Sequence, residues 1–304
     1  MTRKKADPLA GAAARFGTPG AWLDFAAGAF ERHQVALGQT AINAHDEALY
    51  LILRTLGLPL TCEPSVLSRR LTAAERERLE EVFRRRLVDR VPAAYLTREA
   101  WLGDHRFFVD ERVIIPRSYF LELIPEALAA RLPPRRPVRR AVDVCTGSGC
   151  LAILLAHAFP RARVDGCDLS ADALAVAAIN VREHQLEARV ALHQSDVCAG
   201  LPPGRYDLIV SNPPYEPSAW VDAQEPEFAA EPRLAHDGGK DGLAIIRKLI
   251  AQAGERLEPH GILALEVGGL QAAINREFAA CAPEWLPTHD GSNCVVVFRA
   301  ATLR

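Results

Sequence analysis

No stretch of this sequence is apolar for long enough to cross a bilayer, since runs such as Leu151 to Ala158 fall far short of the ~20 residues a spanning helix needs. Neither sign of charge is in excess. The 36 basic and 38 acidic side chains leave a formal charge of -2, which gives no global electrostatic reason for tight binding to bare nucleic acid. The seven cysteines are odd in number and none is spaced as CxxC, and the start, MTRKKADPLA, has no apolar signal core. Together these features point to a reducing, cytoplasmic setting with free thiols. Nine histidines and seven cysteines show no metal-ligand spacing along the chain, so no metal is expected. Internal repeats and disordered tracts are missing as well. What remains is an ordinary globular chain of 304 residues, long enough for one large domain and a smaller one.

Residues 1–17, basic and Ala-rich, are expected to be a flexible start. Thr18-Pro19 then reads as an N-cap and first-turn proline opening a helix. Apolar residues at three- and four-residue spacing in DEALYLILRTLGL and SVLSRRLTAAERERLEEVFRRRLVDR predict a small helical domain over 18–93, with the arginines among Arg76 to Arg90 on its wet face. Aromatic and β-branched residues over 94–117 predict a β-hairpin linker turning near Gly103-Asp104. Phe107 and Phe108 on it are read as core packing. The LPPRRPVRR segment at 132–140 reads as a solvated basic connector within the large domain, 118–304.

From Ala141 onward short β-branched runs alternate with helical stretches, the pattern of a parallel sheet flanked by helices, an α/β doubly wound fold. Strands are expected at 141–145, 162–167, 189–194, 206–211, 261–267, about 285–289 and 293–299, with helices between the first five and after the fifth. The turn His289-Asp290-Gly291-Ser292 is too short for a parallel crossover, so the last of these seven strands should run antiparallel. Ligands of such a sheet gather at the carboxyl ends of its strands.

The first strand runs through Asp143 into Thr146-Gly147-Ser148-Gly149 and an apolar helix, which lets a nucleotide-like cofactor approach the backbone closely. Asp168 stands 21 residues after Gly147, where a ribose-binding acid belongs. NAD and S-adenosylmethionine both fit this pattern. Asp143 tilts the choice, because a carboxylate there would repel pyrophosphate and attract the cationic amino group of a methionine. Asp196, ending the third strand, or its neighbouring backbone could hold an adenine amino group. The fourth strand ends in Asn212-Pro213-Pro214-Tyr215. An NH2 group conjugated to a carbonyl is a poor nucleophile and has to be held while positive charge develops on it. The Asn212 side-chain oxygen and the Pro213 carbonyl can each accept one of its hydrogens, the prolines stiffen the turn, and Tyr215 can lie against the flat group. Asp241 reads as the N-cap of the following helix. Glu266 reads equally as a structural or a pocket residue.

The Asn-Pro-Pro-Tyr tetrad, the DVCTGSGC loop and EVGG at 266–269 resemble the HemK family of protein N5-glutamine methyltransferases. The RVPAAYLTREAWLGDHRFFVDERVIIPRS and EPRLAHDGGKDGL stretches resemble its branch that modifies a glutamine of large-subunit ribosomal protein three, and Ser118-Tyr119-Phe120 after Pro116-Arg117 departs from the release-factor branch. The resemblance implies a class I, Rossmann-like, seven-stranded catalytic domain behind a helical substrate-recognition domain, and S-adenosylmethionine as donor without a metal. It also implies a ribosomal-protein partner, free or in an assembly intermediate, and neither a membrane nor a nucleic-acid substrate. It places Gly147, Asp168, Asp196 and Asn212 at the cofactor and Asn212, Pro213, Pro214 and Tyr215 at the substrate amide. The loop with Glu225, Glu227 and Glu231 has no counterpart in it. Rival readings are a release-factor glutamine methyltransferase, an adenine-N6 methyltransferase, which would need a basic groove, a ribosome-assembly factor without activity, and an NAD oxidoreductase.

Overall fold

The computed structural model describes residues 8–303; the first seven residues of the expected flexible start lie outside the described residues. Residues 8–17 are not a loose tail. They form a short helix, Ala12–Arg15, and Leu9 and Ala12 are buried in the helical core, because apolar side chains so close to a core gain more from burial than their backbone loses in entropy.

The chain divides into two compact units, one running through Ala100 and including Glu225–Ala230, the other comprising Trp101–Gln224 and Glu231–Arg304. In the first, Thr18 accepts the Ala21 N–H and Pro19 opens the helix Pro19–Arg32. Asn43 caps Ala44–Thr55, and Thr72 and Glu75 form a capping box at the start of Ala73–Leu87. Trp22, Phe30, Leu51 and Phe83 meet in the core, with the Trp22 and Phe83 rings stacked at 5.7 Å. One arginine departs from the wet face expected of it. Arg86 is 1% exposed, donating to Glu47 at 2.7 Å, to Glu227 at 3.3 Å and to the Ala36 carbonyl at 2.7 Å. Helical spacing put it on the inward side, and two carboxylates followed it in.

The expected hairpin is shorter than its sequence pattern. Strands β1 (Ala100–Leu102) and β2 (His105–Phe107) pair across Gly103-Asp104, whereas Ala93–Thr97 is helical, its Thr97 hydroxyl bonding back to Ala93. Past β2, Asn180 takes a strand's place by accepting the Phe108 N–H and donating to the Phe108 carbonyl. Phe107 is buried in the core, as its alternation predicts.

The second unit is built on a seven-stranded sheet of β3 (Arg140–Val144), β4 (Arg163–Asp168), β5 (Val190–Gln194), β6 (Tyr206–Ser211), β7 (Leu257–Glu266), β8 (Glu284–Leu286) and β9 (Val295–Arg299). Their order is β5-β4-β3-β6-β7-β9-β8, with β9 antiparallel to both neighbours, as the tight turn requires; this is the class I methyltransferase arrangement. Alternate residues feed separate cores on the two faces: Ala141, Leu208, Val210 and Ala264 on one, Val142, Val144, Ile209 and Leu263 on the other. A helix was expected between β5 and β6, and among the described residues none forms there. Gly200, Pro202, Pro203 and Gly204 break the segment, and the Ser195 hydroxyl closes it as a turn by donating to Val197 and accepting the Gly200 N–H. No described helix is long and apolar enough to cross a membrane, and all seven cysteines are free.

The buried Arg86 cluster makes a stability prediction. Arg86→Met leaves the buried Glu47 without a cation and Glu227 with Arg90 alone, which should cost about 3–5 kcal/mol. Urea unfolding should show the loss at neutral pH. The deficit should shrink as pH falls below the carboxyl range, because protonation then removes the stranded charge; a deficit independent of pH would contradict the ionic account.

Candidate active site

Register brings the motifs together. Val144 of β3 is level with Cys167 of β4 and Ser211 of β6, so Cys145, Asp168 and Asn212 emerge side by side. Ser211 is in turn level with Leu265 of β7, which sets Glu266 beside Asn212. The chain reverses its direction of travel across the sheet between β3 and β6, and a crevice opens at the carboxyl ends of strands at such a point. A cavity lies there, open to solvent.

Gly147, Asp168, Asp196, Asn212 and Pro214 line this cavity. Gly147 has φ 53°, a conformation that favours glycine, and its N–H donates to Asp168 at 2.9 Å. The other Asp168 oxygen accepts the Ser170 N–H at 2.9 Å. Burial raises the Asp168 carboxyl above its usual value, and these backbone donors pull it down again. Asp196 pairs with Lys248 at 2.9 Å, both half exposed, a contact weak enough for a ligand to compete with. Val197, next to it on the wall, holds φ 56°, a strained conformation for a β-branched residue. Leu169 and Leu234 add exposed apolar faces to the wall.

Asp143, Thr146 and Gly149 do not line the cavity. Asp143 is fully buried and accepts the Thr146 hydroxyl at 2.5 Å and the Ala152 N–H at 3.0 Å, so its carboxylate braces the glycine loop from behind. Burial pushes its carboxyl up to about 7 against those hydrogen bonds. This corrects the expectation that Asp143 faces a cationic ligand group. Thr146 is spent on the same brace. Gly149 ends the loop at φ 82°, where a Cβ would also crowd Ala177 at 3.1 Å.

Asn212 is held by acceptors only. Its Nδ2 donates to Glu266 Oε1 at 3.2 Å and to the Arg117 carbonyl at 3.4 Å, so the amide can face them only with its NH2, and Oδ1 is left to accept from a ligand. Glu266 Oε2 meanwhile accepts from the Ser118 hydroxyl at 2.6 Å and the Tyr119 N–H at 3.0 Å. Burial pushes the Glu266 carboxyl up to about 7 in spite of these donors. Arg117 is itself fixed by two 2.7 Å bonds to Glu231, which also meets His236 at 2.7 Å. Burial would raise Glu231, but Arg117 and His236 outweigh it and hold it at about 2.

Pro213 and Tyr215 are not among the residues lining this cavity. Tyr215 packs on the sheet core, and its ring covers Gly268, where a Cβ would come within 2.7 Å of it. Burial, then Glu266 and Glu216, raise its phenol well above the usual value, keeping it neutral. A Cβ on Gly238 would meet the Tyr215 Cα at 2.8 Å, so the HDGG segment serves as close packing for the tetrad. Asp241 does not cap a helix: the helix Ala244–Arg256 starts after Leu243, and Asp241 instead accepts the Leu243 N–H and pairs with Arg247, an Asx-type turn.

The methyltransferase small domain model matches residues 124–225. Over 90% of this chain and 92% of its own length, the ribosomal protein uL3 glutamine methyltransferase of Burkholderia pseudomallei is 44% identical. The protein of the same name from Bordetella pertussis is 46% identical over 87% of this chain and 89% of its own length. That from Neisseria gonorrhoeae is 44% identical over 90% of this chain and 91% of its own length. The chain belongs to this family of uL3 glutamine methyltransferases. Family membership and fold together make S-adenosylmethionine the methyl donor, and the carboxylates and bare backbone at adjacent strand ends suit such a group.

Sequence reasoning left Glu266 undecided and passed over Arg112, Val113, Ile114, Pro232 and Ala235, all on the wall. The signal for Glu266 was its place, at the end of a core strand and two residues ahead of Gly268-Gly269. Glu266→Gln tests its role: whichever way the new amide turns, its NH2 meets another donor, at Asn212 or at Ser118 and Tyr119. An unsatisfied buried donor costs about 1–3 kcal/mol, so kcat should fall by about tenfold to a hundredfold. Affinity for S-adenosylhomocysteine, measured by calorimetry, should stay unchanged; equal losses in both would mean that Glu266 merely supports the fold.

Proposed function

We propose that this chain transfers the methyl group of S-adenosylmethionine to the side-chain amide nitrogen of a glutamine in ribosomal protein uL3. The enforced orientation of Asn212 carries the reading, because it leaves a fixed acceptor on a residue of the cavity wall. The relatives named above supply the substrate.

An amide nitrogen shares its lone pair with its carbonyl, so the chain has to localise that pair and shelter the charge that appears as the bond forms. Asn212 Oδ1 and the Pro213 carbonyl accept the two substrate hydrogens, which turns the nitrogen lone pair towards the donor and disperses its growing charge. Pro213 and Pro214 hold both acceptors in a stiff turn. Tyr215, kept neutral and seated on Gly268, closes the site against water. In the cofactor half, Asp168 has lone pairs left for ribose hydroxyls, the Asp196-Val197 turn meets the adenine edge, and Leu169 and Leu234 cover the base. Bound there, S-adenosylmethionine would supply an electrophilic methyl group on a sulfonium, with S-adenosylhomocysteine as the leaving group and one of the two amide hydrogens lost as a proton. The helical unit is assigned recognition of uL3, since every residue on the cavity wall comes from the other unit.

Mass spectrometry of uL3 and of both peptide chain release factors, after incubation with this chain and S-adenosylmethionine, tests the reading. One added methyl group on a uL3 glutamine is expected. Asn212→Ala should slow its appearance by about 10²–10³-fold, the cost of removing one preorganised partner of a developing charge. Methylation of a release factor alone would move the substrate assignment, and methylation of adenine in nucleic acid would contradict the reading.

A further inference from the structure

Histidines scattered in sequence are gathered by the fold. His105 lies on β2, His157 in the last turn of the helix Cys150–Ala158, and His184 at the C-cap of the helix Ala171–Glu183. One ring nitrogen from each falls within 4.8 Å of the other two. The His105 and His157 rings stack at 4.9 Å, and His184 lies 5.8 Å and 5.7 Å from them, centroid to centroid. We propose that His105, His157 and His184 form a binding site for a late first-row divalent metal ion of the zinc class, outside the methyl-transfer cavity.

The donor set selects the ion. Imidazole nitrogens suit zinc, nickel and copper, whereas magnesium and calcium require oxygen ligands. His184 Nε2 is 2.9 Å from the Arg106 carbonyl, and an acceptor there fixes the proton on Nε2, leaving the lone pair on the other ring nitrogen. A backbone carbonyl behind a ligand histidine is the usual outer partner of such a ligand. Three nitrogens about 2.0–2.1 Å from one tetrahedral ion stand roughly 3.4 Å apart, so the rings have to draw together, a movement within reach of side-chain rotation. His157 is exposed, which leaves the fourth position to water.

The site is not part of the reaction. Both helices begin at the cavity end of the sheet, at Gly149 and Ser170, and the histidines sit at their far ends. A bound ion would instead fasten β2 to two helices. The chain leaving β2 leads to Arg112, Val113 and Ile114 on the cavity wall, so the metal would steady that wall from a distance. The inference stands independently of the substrate assignment.

Titration of the full chain with zinc chloride, followed by calorimetry, tests it. One equivalent should bind with micromolar or tighter affinity, raise the thermal unfolding temperature by binding the native state, and be replaceable by cobalt with the visible bands of a tetrahedral nitrogen site. His157→Ala, and separately His105→Ala, should each weaken that equivalent by about a hundredfold, with His45→Ala as an unaffected control. S-adenosylhomocysteine binding reports that each variant is folded, and His157→Gln serves if His157→Ala is not. Binding only at millimolar zinc, or an equivalent that survives in the folded His157 variant, would overturn the proposal.

Discussion

A buried carboxylate that accepts only from donors fixes the geometry of this site. Glu266 takes the Ser118 hydroxyl and the Tyr119 N–H on one oxygen and the Asn212 amide on the other. Burial works against its charge, and the donors hold it in place. A neutral amide between acceptors has one orientation, so Asn212 is set before any substrate arrives. The register of β6 on β7 places the two residues side by side, and the core on both faces of the sheet fixes that register, because a one-residue slip would turn every strand inside out. Preorganisation of this kind avoids reorganising dipoles during the reaction, where most electrostatic catalysis gains its advantage.

The same economy explains the segment after the tetrad. Glu231 lies between Arg117 and His236 and so fixes the residue whose carbonyl holds Asn212. Glu227, in the helical unit, lies with Arg86 and Arg90. Glu225 is left in solvent. Two of the three acids thus act as anchors. A buried ion pair contributes little net stability over an apolar pair, but breaking it is costly, which suits residues whose purpose is to hold one arrangement of the chain.

Much of this was legible beforehand. Alternation of β-branched and helical runs predicted the sheet, and the brevity of His289-Asp290-Gly291-Ser292 predicted its antiparallel strand. That Gly147, Asp168, Asp196 and Asn212 would meet on one wall was legible because each is a polar or glycine residue at or just past the end of a strand. Asp143 misled, since its neighbours in sequence did not reveal that Thr146 and Ala152 fold back to take its carboxylate. Arg86 was assigned to the surface by residue type, although helical spacing turned it inward. Glu266, Asn180 and the three histidines escaped because their partners are 54, 72 and, for His105 and His184, 79 residues away in sequence. Only the tertiary fold brings them together.

The central claim is that Glu266 acts through Asn212, and a double-mutant cycle in kcat on uL3 measures it directly. If the account is right, Glu266→Gln slows the wild-type enzyme but adds almost nothing to Asn212→Ala, because the group it orients is already gone. Independent, multiplying losses from the two substitutions would show that Glu266 serves the site by another route and would contradict the account.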